Sequence, residues 1–275
     1  MKLFFLIFLV LFLTGCSADE IVKQDGNSEY EYVEICKLTD ADKNTVQNNP
    51  TEIVFENEQQ VYIIDNEGEY ILSGDCEGQI QIDVQDKIVH LILENVEMQS
   101  ENGPVIYVKS AAKVVITIPE NSSCILMDST YYDGYEESRS CIFSEDDLTI
   151  NGKGSLQVYG NYKDAIRTKD ILKVLDVNLD IRAKETGLRG NDGVLIQSAN
   201  LNIQCEGTGI YTEKENKEMK GFVDIYKGTV DIISGEYGID SAQNIYIRDC
   251  VADIFGTVQD ITCFGEQYIE EGCLK

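Results

Sequence analysis

Carboxylate side chains return at one place in a repeating unit of this chain. Asp146, Asp170 and Asp192 each stand four residues after an aliphatic residue: Ile142, Ile166 and Leu188. Asp147 and Asn191 adjoin them, and Asp164 and Glu185 shortly precede the same aliphatic positions. Stacked coil upon coil, these residues offer carboxylate, amide and turn carbonyl oxygens. That is the ligand set of calcium, which takes about six to eight oxygens. Carboxylates repeated at ~4.8 Å repel by ~0.9 kcal/mol in water and ~3.5 kcal/mol at an effective dielectric of ~20. A bound cation removes that cost, so Asp146, Asp147, Asp164, Asp170, Glu185, Asn191 and Asp192 are the candidate metal ligands. The plainer reading is an acidic face splayed into water. Neither an EF-hand loop nor a glycine-rich nonapeptide is present, so the signal lies in the stack and not in a local motif.

Basic and aromatic residues form a second set of ligand-binding candidates. Arg167 and Arg189 hold matching positions beside these acids. Tyr131, Tyr132 and Tyr135 cluster in the polar stretch 127–140, and Tyr211 follows Ile210. Aromatic rings offer flat apolar faces to a ligand; packing within a loop explains the same tyrosines without one. Catalysis is harder to assemble. Arg167, Arg189, Lys169 or Lys173 serve as an eliminating base only with a strongly shifted pKa, and charge compensation among the acids accounts for all four. Acids are too abundant for one hydrolytic pair to stand out. His90 is the only histidine, and the alternation of LILENVEM places it outward.

The elements that hold these residues follow from a period. Ile166, Leu188 and Ile210 are spaced by 22 and 22, and Ile239 and Ile261 repeat the 22 after a gap of 29. Each unit carries two alternating runs: Leu172/Val174 then Leu179/Ile181, Val194/Ile196 then Leu201/Ile203, Val223/Ile225 then Val230/Ile232, Ile245/Ile247 then Ala252/Ile254. Alternation of period two is strand periodicity. A fixed period in the twenties with three short strands per unit predicts an all-β parallel β-helix with coils of about 22 residues. Two loop insertions interrupt it. Ile106 to Ile142 spans 36, with the surplus in 127–140, and the gap of 29 marks the second. The predicted domain is 52–275.

The first residues are of another kind. Leu3 to Leu13 is an unbroken apolar run ending in Leu13-Thr14-Gly15-Cys16. Eleven apolar residues are too few for a span of ~20. The segment reads as a signal peptide, 1–15, before a bacterial lipobox that lipidates Cys16. The expected location is extracytoplasmic, tethered to a membrane through the lipid anchor only. Residues 16–51 read as a polar linker, a solvated tether. Removing Lys2 with the signal takes the formal charge from −27 to −27 − 1 = −28. That excludes nucleic acid as a partner. Of nine cysteines, eight remain after Cys16; no C-x-x-C is present, and mostly buried thiols are expected, with room for one bridge near the chain ends.

Residues from about 52 to 260 resemble the bacterial carbohydrate-binding domain family of calcium-binding parallel β-helix proteins. The resemblance is carried by GEYILSGDCEGQIQIDV (68–84), VHLILENVEMQS (89–100), GPVIYVKSAAKVVITI (103–118), CIFSEDDLTINGKGSLQVYGNY (141–162), DAIRTKDILKV (164–174) and TGLRGNDGVLIQ (186–197). It implies calcium and an acidic, pectin-type polysaccharide as partner, with the family's turn acids falling on Asp146, Asp147, Asp164, Asp170 and Asp192. The family's Asp-Asp-Gly-Ile turn is replaced here by Glu185-Thr-Gly-Leu, Glu206-Gly-Thr-Gly-Ile and Glu236-Tyr-Gly-Ile. A carbohydrate-binding surface lipoprotein is the leading reading. A calcium-dependent polysaccharide lyase and a non-catalytic scaffold or adhesin are the alternatives.

Overall fold

The computed structural model describes residues 36–43, 49–56, 60–214 and 220–275. The signal segment and Cys16 lie outside the described residues. The compact unit Cys36–Lys275 is a parallel β-solenoid.

The period is the hydrogen-bonding register. Ile80, Ile106, Ile142, Ile166, Leu188, Ile210, Ile239 and Ile261 pair directly, one coil to the next. Leu172/Val174, Val194/Ile196, Val223/Ile225 and Ile245/Ile247 pair likewise. So do Leu179/Ile181, Leu201/Ile203, Val230/Ile232 and Ala252/Ile254. These three columns meet inside one core, where most members are wholly buried. Like side chains stack because each inward position repeats at the strand spacing.

Two corners set the coil's shape. Between the second and third strand positions, one residue per coil turns left-handed: Asp176 (φ 57°), Ser198 (56°), Lys227 (62°) and Asp249 (49°). Short polar residues tolerate that region best, and Lys227 is followed by Gly228, itself at φ 88°. Before the isoleucine column the chain needs glycine for closeness. A Cβ on Gly187 would lie 2.6 Å from the Gly209 carbonyl oxygen on the next coil.

Neither insertion disturbs the register, since Ile106 still pairs with Ile142 and Ile210 with Ile239. The tether expectation needs correction at residues 36–43. They form a docked strap with a short helix, Asp40–Lys43, in which Asp42 is wholly buried. Asp42 accepts from Lys113 (2.7 Å), Thr149 (2.6 Å) and Lys173 (2.9 Å), and Asn151 donates to its carbonyl (2.8 Å). Two outward lysines on the second-strand face have no water to solvate them there; the carboxylate replaces it.

Candidate carbohydrate-binding face

The side chains next to the isoleucine column form their own column, half-exposed for the most part but wholly buried at Phe143. Gln81, Tyr107, Phe143, Arg167, Arg189, Tyr211 and Asp240 are paired in that order from coil to coil. Parallel pairing therefore places Arg167 and Arg189 side by side, one strand spacing apart. The sequence-predicted arginines are brought together.

Their surroundings differ. Arg189 reaches Glu213 Oε2 at 2.9 Å and lies 3.9 Å from Asp164 Oδ2, with its guanidinium 4.9 Å from the Tyr211 ring centre. Arg167 makes no ion pair among the described residues. It sits half-buried 6.0 Å from the Phe143 ring centre, and its Nε is buried without a hydrogen-bond partner. Burial, then the adjacent Arg189 charge, lowers its pKa, against the pull of Asp164 and Glu213. Asp164 is buried, accepts from the Thr186 amide at 3.1 Å, and has its carboxyl pushed up by burial, against the pull of Arg189.

The tyrosines separate. Tyr211 belongs to the arginine column. Tyr131 is exposed. Tyr132 is buried, stacks on Tyr162 at 4.3 Å, and its hydroxyl donates to Asp128 at 2.7 Å, with the Ser140 carbonyl at 2.9 Å. Tyr135 folds onto Tyr107 edge-to-face at 5.4 Å and bonds Gln79 and Gln81. For Tyr132 and Tyr135, packing that roots the first insertion replaces the sugar platform expected of them. Half-exposed Tyr107, which pattern reading did not single out, lies in the column instead, with wholly buried Phe143 between it and Arg167; their register with Arg167 was the available signal.

The seven candidate metal ligands also separate. Asp164 and Glu185 lie at the corner before the isoleucine column, where Glu185 pairs with Lys163 at 2.5 Å. Asp146, Asp147, Asp170, Asn191 and Asp192 lie at the corner after it. There Asp146 Oδ2 accepts from the Ala111 amide at 2.8 Å and Asp147 Oδ1 from the Ile171 amide at 3.3 Å. Asp192 lies 2.5 Å from both Lys214 and Lys220, lysines of the second insertion. Burial and the neighbouring Asp192 and Asp147 charges push the Asp170 carboxyl up. Among the described residues no three His, Cys, Asp or Glu side chains converge as a metal cluster. The seven residues thus do not fit one calcium shell as they stand: a single ion cannot reach two corners, and ammonium groups already neutralise Asp192.

Two lysines considered as bases are committed elsewhere. Lys169 pairs with Glu145 at 2.8 Å, and Lys173 belongs to the Asp42 cluster on another face. His90 is buried, not exposed, with Nδ1 3.7 Å from Glu69 and its pKa lowered by burial. A hollow of about 550 Å³ beside the strap is lined by Leu38, Ile71, Ile92, Leu175 and Gln197, and by none of the predicted site residues.

The fold is that of a parallel β-solenoid, and the comparisons give its family. A model described as "Carbohydrate-binding domain-containing protein" matches residues 57–263, and the chain belongs to that family. A protein of the same description from Acetivibrio thermocellus is 33% identical over 98% of this chain and 94% of its own length. The solved polysaccharide lyase-like protein from C. thermocellum, a gadolinium derivative, superposes with a TM-score of 0.80. It is 31% identical and covers 82% of this chain and 99% of its own.

Proposed function

We propose that the face formed by Tyr107, Arg167, Arg189 and Tyr211 binds an acidic, uronate-bearing polysaccharide without cleaving it. The observation that carries this reading is Arg167. Two unit positive charges at one strand spacing repel by ~3.5 kcal/mol at an effective dielectric of ~20, and only Arg189 makes direct ion pairs, Asp164 and Glu213 acting on Arg167 from farther off. A sugar carboxylate supplies the missing partner, and guanidinium is the group that grips carboxylate with two parallel bonds. Half-exposed Tyr107 and Tyr211 flank the pair and offer apolar ring edges to the sugar. The family description supports carbohydrate as the ligand class.

Calcium enters this reading as an ion recruited with the glycan, between its carboxylates and Asp147 and Asp170. The overall charge of −27 makes such bridging useful away from the arginines. The similar solved protein was studied with gadolinium, a hard oxygen-seeking cation like calcium. In this reading lipidation at Cys16 keeps the face outside the cytoplasm; Cys16→Ala is expected to release the protein from the membrane fraction, and unchanged partitioning opposes this.

A lyase is the second reading, favoured by the description of the solved neighbour. One experiment separates the readings: a glycan array in calcium and in chelator, followed by absorbance at the unsaturated-uronate band. Binding to polygalacturonate without new absorbance supports the binder. Rising absorbance supports the lyase, and no binding to any glycan supports a scaffold.

A further inference from the structure

The solenoid's last coil carries a second kind of chemistry. After the strand Gln267–Ile269 the chain folds back along the strand Val251–Gly256. The Cys273 amide donates to the Glu270 carbonyl at 3.1 Å, the Ala252 amide to the Cys273 carbonyl at 2.8 Å, and the Lys275 amide to the Ala252 carbonyl at 3.0 Å. This parallel bridge, Ala252 with Leu274, brings Cys273 beside Cys250. Both side chains are buried in the same core cluster, at 8% and 3% exposure, and line one small hollow. Both are free thiols.

The geometry points to Cys250 and Cys273 as a disulfide-forming pair that staples the C-terminal end of the solenoid. The end needs fastening. The final strands have a neighbour on one side only, and terminal repeats of a solenoid are where fraying starts. A bridge here closes 22 intervening residues and removes chain entropy from the unfolded state. The reaction is exchange. One thiol gives up its proton and attacks glutathione disulfide, releasing one glutathione; the second thiol attacks the mixed disulfide and releases the other. Two thiols lose two hydrogens and two electrons, and one glutathione disulfide becomes two glutathiones.

Burial, then the Cys273 neighbour, pushes the Cys250 thiol up to about 12. The folded pair is therefore a poor nucleophile, and the bridge forms while the C-terminal segment is still undocked. That the bridge persists in cells rests on the export reading from Cys16, because disulfides endure outside the reducing cytoplasm.

The test is refolding of the full chain in glutathione disulfide, then alkylation and peptide mass analysis under non-reducing conditions. A peptide joining Cys250 to Cys273, absent from Cys250→Ser and Cys273→Ser, is expected. The oxidised chain is expected to melt about 5 °C or more above the reduced one, and neither serine variant should show the difference. Glutathione adducts alone, or bridges to other cysteines, would overturn the pairing. The same mapping on protein alkylated at lysis separates the two readings. A linked peptide after refolding but free thiols from cells upholds the pair and overturns export.

Discussion

Arg167 and Arg189 are register partners on adjacent coils, yet only Arg189 makes ion pairs, at 2.9 Å and 3.9 Å, while the same two acids, Glu213 and Asp164, act on Arg167 from farther off. The pair is therefore asymmetric in stability. Arg189→Gln leaves the buried Asp164 without its counter-charge and should lower unfolding stability by about 2 kcal/mol. Arg167→Gln removes a like-charge contact and should be neutral or slightly stabilising. Urea unfolding of both variants checks this, and equal destabilisation would contradict it.

The strap depends on one carboxylate. Burial alone would raise the Asp42 pKa, but hydrogen bonds from Lys113, Thr149, the Thr39 amide and Lys173 outweigh it and hold the group well below the carboxylate range. A depressed pKa means stability that is present above the unfolded value near 3.8 and lost as pH falls toward the folded one. Asp42→Ala strands two buried lysines and should cost about 3 kcal/mol at neutral pH. The variant should also lose much of the wild-type sensitivity between about pH 4 and 2. Thermal melts across that range, with proteolysis near residue 43, read both effects.

Asp128 has the opposite sign. Burial pushes its carboxyl up to about 7, against bonds from Tyr132 and the Asn161 and Tyr162 segment. The folded state then holds a proton that the unfolded chain has released. Its contribution is fully present below pH 3.8 and fades as pH rises through about 7. Asp128→Asn should flatten that decline, worth on the order of a few kcal/mol, at the root of the first insertion. A variant whose stability falls between about pH 4 and 7 as steeply as wild type would refute the assignment.

Lys214 and Lys220 do for Asp192 what a cation does for an acidic turn. In wild type, calcium should move the melting temperature little. In Lys214→Ala with Lys220→Ala, Asp192 stands uncompensated beside Asp170, and calcium should stabilise by about 2.7 kcal/mol at a hundredfold excess over its dissociation constant. Melting in calcium and in chelator decides it; a double variant as indifferent as wild type opposes the idea.

Much of this was legible in the sequence, for a physical reason. A stacked solenoid writes its register into the period, so Ile166, Leu188 and Ile210 announce both pairing and core. The arginine column followed from the same count. What the period did not encode was lost. Asp42 meets Lys113 and Lys173 across 71 and 131 residues with no repeat to signal it. Tyr132 and Tyr135 sit in an insertion, where side-chain packing sets orientation and no register does. The acids at matching positions did stack, but lysines from a loop of irregular length reached Asp192 first. The left-handed corner at Asp176, Ser198, Lys227 and Asp249 recurs with the coils, but in residue types too varied to read as a motif.

The most direct measurement is calorimetric titration of wild type and Arg167→Gln with an oligogalacturonate, in chelator, beside a neutral xylo-oligosaccharide. Wild type should bind the acidic sugar and not the neutral one, and Arg167→Gln should bind it about tenfold more weakly at unchanged melting temperature. Equal affinity of the two proteins for the acidic sugar would contradict the assignment of this face.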